Sequence, residues 1–148
     1  MGVRNAGRVT VIGAVGAALL AASAAVVLAA DPPVNRRISN GREGWESPRW
    51  SDERYSKLSF QGCATTSLAG RPKSVTVRYH KDRDWLPDPQ YGSRTFTQCF
   101  DTPGSVSVGE WRDLPRQHGY YVRIEDINQS AHNTIDVARY SVDTTAAE

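Results

Sequence analysis

From Tyr55 onward, apolar and polar residues alternate over short runs separated by turn residues. Leu58 and Phe60 stand between polar neighbours, and Gly62 then permits a bulge. Val75, Val77 and Tyr79 alternate with Thr76, Arg78 and His80, the period of a strand with one buried face. His80 thus falls on the outer, surface side. Thr95 to Phe100 forms a third run, and Val106 with Val108 a fourth, after the turn signal Thr102-Pro103-Gly104. Tyr120, Val122 and Ile124 form a fifth, with Arg123 and Glu125 facing outward. In the sixth, Ile135 and Val137 lie on one face, while Ala138, Tyr140 and Val142 lie on the other. A change of phase in mid-strand requires a bulge, or a strand that bends from one sheet to the next.

These runs, with almost no amphipathic helical stretch, predict an all-β chain. The expected architecture is a small single-domain β-sandwich, or a partly closed barrel, of about six to seven antiparallel strands. The longest connection, Lys81 to Ser93, reads KDRDWLPDPQYGS. Long loops on a β scaffold are where binding residues concentrate.

The N-terminal part has a different character. Arg4 and Arg8 precede an uncharged run of Ala, Val, Gly and Leu from Val9 to Ala30. Small residues close the run, as signal peptidase requires, so residues 1–30 are expected to be a signal peptide cut near Ala29 or Ala30. The alternative is an uncleaved membrane anchor, since the run is long enough to cross a bilayer. Alanine and glycine insert weakly, however, and the small-residue endings favour cleavage. Residues 31–54 then read as a flexible polar and aromatic arm, rich in Pro, Gly, Ser and charge, with Trp45 and Trp50 isolated within it. Those tryptophans either fold back onto the domain or face a partner. Residues 55–148 are the expected β-sandwich domain.

Export changes the meaning of charge and cysteine. The chain carries 18 Lys+Arg against 16 Asp+Glu, but the excess is Arg4 and Arg8. The mature part is neutral, which argues against nucleic acid as a partner, because phosphate binding needs a clustered basic excess. No membrane role is expected after cleavage. Basic residues are mostly Arg and alanine is abundant, the usage of a GC-rich bacterial genome. The two cysteines, Cys63 and Cys99, are expected to pair in an oxidising compartment, adding about 3–4 kcal/mol by loop-entropy arguments. A catalytic thiol is the rival, and pairing would remove it.

Candidate chemistry is sparse. Asp82, Asp84 and Asp88 fit no calcium-loop spacing and have Arg83 among them, so no metal or cofactor is expected. His80, His118 and His132 lack ligand spacing, and no nucleophile elbow is present. Glu110, Asp113, Glu125 and Asp126 are acidic but form no recognisable glycosidase pair. Asn128-Gln129-Ser130 fits the glycosylation pattern, and Arg36-Arg37 reads as a plain basic linker, with a processing site as the alternative. The aromatic residues Trp85, Tyr91 and Trp111 are the candidate ligand-binding set, because rigid apolar faces suit sugar rings and protein pockets. The expected function is a secreted, non-enzymatic binding module whose partner is an extracellular protein or glycan. A small secreted hydrolase or toxin and a protease inhibitor are the alternatives.

Overall fold

A strand that alternates apolar and polar residues must bury one face, and here two sheets bury theirs against each other. The computed structural model describes residues 31–52, 54–66 and 72–145. The expected signal peptide, residues 1–30, lies outside the described residues. Eight strands form among the described residues: β1 (Arg36–Gly41), β2 (Trp50–Asp52), β3 (Ser56–Thr65), β4 (Val75–Lys81), β5 (Gln90–Phe96), β6 (Val106–Trp111), β7 (Gln117–Ile127) and β8 (Ile135–Asp143). They make two four-stranded antiparallel sheets, with orders β1-β8-β3-β6 and β2-β7-β4-β5. The architecture is the expected β-sandwich rather than a barrel.

Among the strands of the described residues, only β4 and β5 are consecutive in one sheet; each other consecutive pair is divided between the two sheets. Almost all pairing is therefore non-local, and its loop-closure entropy is offset by the core. Phe60, Val75, Val77, Tyr120, Val122, Ile124, Ile127, Ile135 and Val137 are fully buried at its centre. Tyr79 gathers aromatic rings at one end, with Trp111 stacked at 5.0 Å, Tyr120 at 5.2 Å and Trp50 at 5.7 Å. Phe60 anchors the other end, against Phe96 at 5.1 Å and Tyr140 at 6.2 Å.

The phase change expected in the last strand is present, and its partner shares it. Along β8, Val137 and Tyr140 both face inward; along β3, so do Phe60 and Cys63. Phe60 pairs with Tyr140 and Cys63 with Val137, so the two strands change phase together and keep register. Gly62 sits at this point with φ of +62°, and a Cβ there would stand 2.7 Å from the Pro103 carbonyl oxygen. The bulges fall instead on the β1–β8 pair.

Three expectations are corrected. The stretch read as a flexible arm pairs into both sheets, β1 with β8 and β2 with β7. Trp50 is 1% exposed, and Trp45 packs on Tyr140 at 5.7 Å. Each of these strands contributes one large apolar side chain to the core, Ile38 or Trp50, so no period could emerge. That is also why the strand count is eight. The third run is shifted: β5 ends at Phe96, and Gln98–Phe100 is a 3-10 turn. The connection after β4 is accordingly shorter, residues 82–89. The Cys63–Cys99 disulfide is present, and it ties β3 to that 3-10 turn, with Cys99 fully buried.

Two stability measurements follow. Trp50→Ala is expected to cost about 3–5 kcal/mol in urea unfolding, the range for emptying a large aromatic site. A loss below about 1 kcal/mol would mean that the N-terminal strands do not belong to the core. Reduction should add two hydrogens to the intact mass and lower the melting temperature; two freely alkylated thiols in the native protein would contradict the bridge.

Candidate functional site

The β4–β5 connection carries the least buried aromatic residue of the described chain. Trp85 is 100% exposed and Leu86 beside it is also exposed. Trp85 holds a left-handed backbone, φ of +67°, which costs a non-glycine residue about 1–2 kcal/mol. A strained residue persists only where its surroundings fix it, and this loop is fixed at its base. The Lys81 N–H donates to the Pro89 carbonyl at 3.1 Å and the Asp82 N–H to Gly119 at 2.8 Å. Asp88 accepts from the Arg83 N–H at 2.9 Å and from the Tyr121 hydroxyl at 2.6 Å. Arg49, from the segment before β2, donates to Asp82 at 3.0 Å and to Glu46 at 2.9 Å. Pro87 and Pro89 restrict the remaining backbone.

Beneath this loop lies a polar patch on the outer face of the β2-β7-β4-β5 sheet. Two irregularities build it. Between Val77–Ile124 and Thr76–Asp126 the register shifts by one residue, and the extra residue is Glu125. The bulge lets Ile124 and Ile127 both face the core and aims Glu125 at Arg78 and His80, each 3.5 Å away. On the other side of β4, Tyr91 and Gly92 together oppose Tyr79, with Gly92 at φ of +84°. His80 was expected at the surface, yet it is 3% exposed. It stacks on its cross-strand partner Tyr121, 5.1 Å between ring centres and 13° from parallel, and the Arg49 guanidinium lies 4.0 Å from the Tyr121 ring.

Burial sets the electrostatics of this patch. It lowers the His80 pKa, with Arg123 and Arg78 adding to the effect, and the nearby Glu125 opposes without cancelling it. His80 Nε2 is buried without a hydrogen-bond partner, since its approach to Glu125 lacks hydrogen-bond geometry. Burial also raises the Tyr121 hydroxyl, reinforced by Asp88. Asp88 is held below the usual carboxylate range chiefly by the Tyr121 hydroxyl.

A groove runs between loop and patch. One lobe, about 400 Å³, is lined by His80, Leu86, Pro87, Asp88, Gln90, Tyr121 and Arg123. A second, about 160 Å³, is lined by Glu43, His80, Gln90, Arg123, Ile124 and Glu125.

The three sequence-predicted aromatics do not come together as one surface. Trp85 stands alone at the loop tip. Trp111, at 2% exposure, is a core residue whose indole N–H donates to the Gly92 carbonyl at 3.1 Å. Tyr91 is half-buried against Tyr79 and Tyr120. Tyr91 and Trp111 therefore pack on the aromatic end of the core, and only Tyr91 keeps part of its surface in solvent. Asp82 and Asp88 are bound to separate partners, Arg49 and Tyr121, and no group of three metal-ligating side chains occurs among the described residues. Ser51 and His118 share a 2.7 Å hydrogen bond, but on an open edge where water competes. Glu110 pairs with Arg112, and Asp126 accepts from the Gln129 N–H. Asn128 is 5% exposed, with its amide bonded to the Ser74 N–H and to Thr65, so the folded chain withholds that sequon.

Sequence reasoning missed the His80–Tyr121–Glu125 patch. One signal was available: Tyr120 and Tyr121 are adjacent in a strand, so one of the two rings must sit on the outer face. Comparison with protein-family models, with curated proteins and with solved structures finds no match to this chain.

The lowered His80 pKa has a testable sign. The unfolded chain binds its proton at about pH 6.5, the folded chain only below that. His80 therefore contributes stability that is intact above pH 6.5 and lost as pH falls toward the folded value. Thermal melts between neutral pH and pH 5 should show wild type losing more stability than His80→Gln. Equal slopes for the two proteins would contradict a buried, neutral His80.

Proposed function

We propose that this protein is an exported, non-enzymatic binding module whose primary contact is the Trp85 tip of the β4–β5 connection. The observation that carries this reading is a fully exposed tryptophan held on a strained backbone by a hydrogen-bonded base. Large aromatic side chains are the commonest anchors in binding sites, and a pre-formed loop lowers the ordering cost of association. Binding is favoured over catalysis because the carboxylates beneath the loop are engaged, Asp88 with Tyr121 and Glu125 with Arg78.

Export is part of the proposal. It rests on the residues 1–30 pattern and agrees with the disulfide, which suits an oxidising compartment. No helix among the described residues is long and apolar enough to cross a membrane. The partner is then an extracellular protein or glycan. Mass spectrometry of culture supernatant should give an N-terminus near Ala30 or Asp31; full-length chain confined to the membrane fraction would contradict export.

The functional test is a screen of the purified protein against cell-wall polymers, glycans and secreted proteases. Trp85→Ala should abolish the interaction found while leaving the melting temperature nearly unchanged. A stability loss of about 3–5 kcal/mol would make Trp85 a core residue and end the proposal.

A further inference from the structure

The groove beside the loop is lined by polar side chains that are each only half used. Asp88 spends one acceptor site per carboxylate oxygen on Tyr121 and the Arg83 N–H, and each oxygen keeps another. Gln90 lines both lobes; its Oε1 accepts from Arg78 at 2.7 Å, while its two N–H donors take no partner among the described residues. Arg123 lines both lobes and forms no ion pair with any described residue. His80 Nε2, buried beneath both lobes, has no hydrogen-bond partner. The lobes share His80, Gln90 and Arg123, so they form one trough across the sheet.

Charge selects among ligands for this trough. Its walls carry Glu43, Asp88 and Glu125 with Arg123, and Arg78 stands 3.5 Å from Glu125, so the balance stays slightly negative. That balance gives an anionic chain no net attraction. A cation finds no converging ligand set among the described residues. What fits is a neutral ligand dense in groups that both donate and accept, which describes sugar hydroxyls. Leu86 and Pro87 give the trough one apolar wall, and Trp85, the residue before Leu86 in the chain, is fully exposed. Such a wall suits the C–H face of a pyranose ring, which stacks on apolar and aromatic surfaces.

We infer that the trough binds a neutral oligosaccharide, with hydroxyls paired to Asp88, Gln90 and Arg123 and ring faces against Leu86 and Trp85. This rests on the binding reading above and adds to it the ligand class and the floor of the site. Because Asp88 and Gln90 are already held by internal hydrogen bonds, little side-chain ordering is needed on binding.

The test is a titration of the purified protein with cellohexaose, maltohexaose, chitohexaose and hexagalacturonate, followed by calorimetry and by NMR. One of the three neutral chains should saturate, shifting the Gln90 side-chain amide and Trp85 indole signals. Its affinity should depend little on salt. Gln90→Ala should weaken it by about tenfold, the effect of one lost hydrogen bond, with the melting temperature unchanged. Tighter binding of hexagalacturonate than of every neutral chain would overturn the inference, as would neutral binding indifferent to both Gln90→Ala and Arg123→Gln. If no hexasaccharide binds while a Trp85-dependent protein partner emerges from the screen, the ligand class falls and the binding reading stands. If a neutral chain binds through Gln90 but ignores Trp85→Ala, the polar floor of the trough stands, while the Trp85 stacking and the tip reading both fall.

Discussion

The pairing of β4 with β7 is the interaction on which both the core and the site depend. Its inner face supplies Val75, Val77, Tyr79, Tyr120, Val122, Ile124 and Ile127, all fully buried. Its outer face supplies His80, Tyr121 and Glu125, the support of the loop. One strand pair can serve both faces only because the Glu125 bulge resets the phase of β7 midway. Without that extra residue, Ile127 would point to solvent, or Glu125 would lose its place beside Arg78 and His80.

The N-terminal strands complete this arrangement. β2 pairs with β7 along its open edge, and the segment before it continues the cover through Gly44, Trp45 and Ser47, which bond to Ile124 and Val122. This cover seats Arg49 over the Tyr121 ring and ties it to Asp82 in the loop. The segment thus closes an edge that would otherwise invite association, and it also holds one end of the loop. At the opposite edge, Arg94 donates to the Glu110 carbonyl and Trp111 to the Gly92 carbonyl, so side chains occupy the acceptors where β5 and β6 meet.

How much of this was legible depended on how many residues each feature needs. Strands β3, β4, β7 and β8 bury several residues on one face and announce themselves by alternation. The mid-strand phase change in β8 was visible too, because Val137 and Tyr140 cannot both be apolar on one regular face. β1 and β2 were not visible, since one large apolar inward residue each, Ile38 or Trp50, makes no pattern. The disulfide was legible from count and context. Trp111 and Trp85 looked alike in sequence, both tryptophans among charged neighbours. Only the stacking of Trp111 on Tyr79 and the open position of Trp85 separate them. The His80 patch escaped because alternation places His80 on an outer face, and an outer face is ordinarily wet. What keeps it dry is non-local: Tyr121 across the strand pair and the loop folded over it.

Strain and support meet at the loop. A tryptophan in the left-handed region, with its side chain in water, has no local reason to persist. Its conformation is imposed by Asp88, Tyr121, Arg49 and the Gly119 carbonyl, all anchored in the sheet below. The central claim is therefore one of rigidity, and ¹⁵N relaxation of residues 82–89 tests it directly. The account predicts backbone order parameters near those of the strands, about 0.85, through the loop including Trp85. Values below about 0.6 across the loop would contradict it, because a loosely hinged tip would not be a pre-formed contact surface.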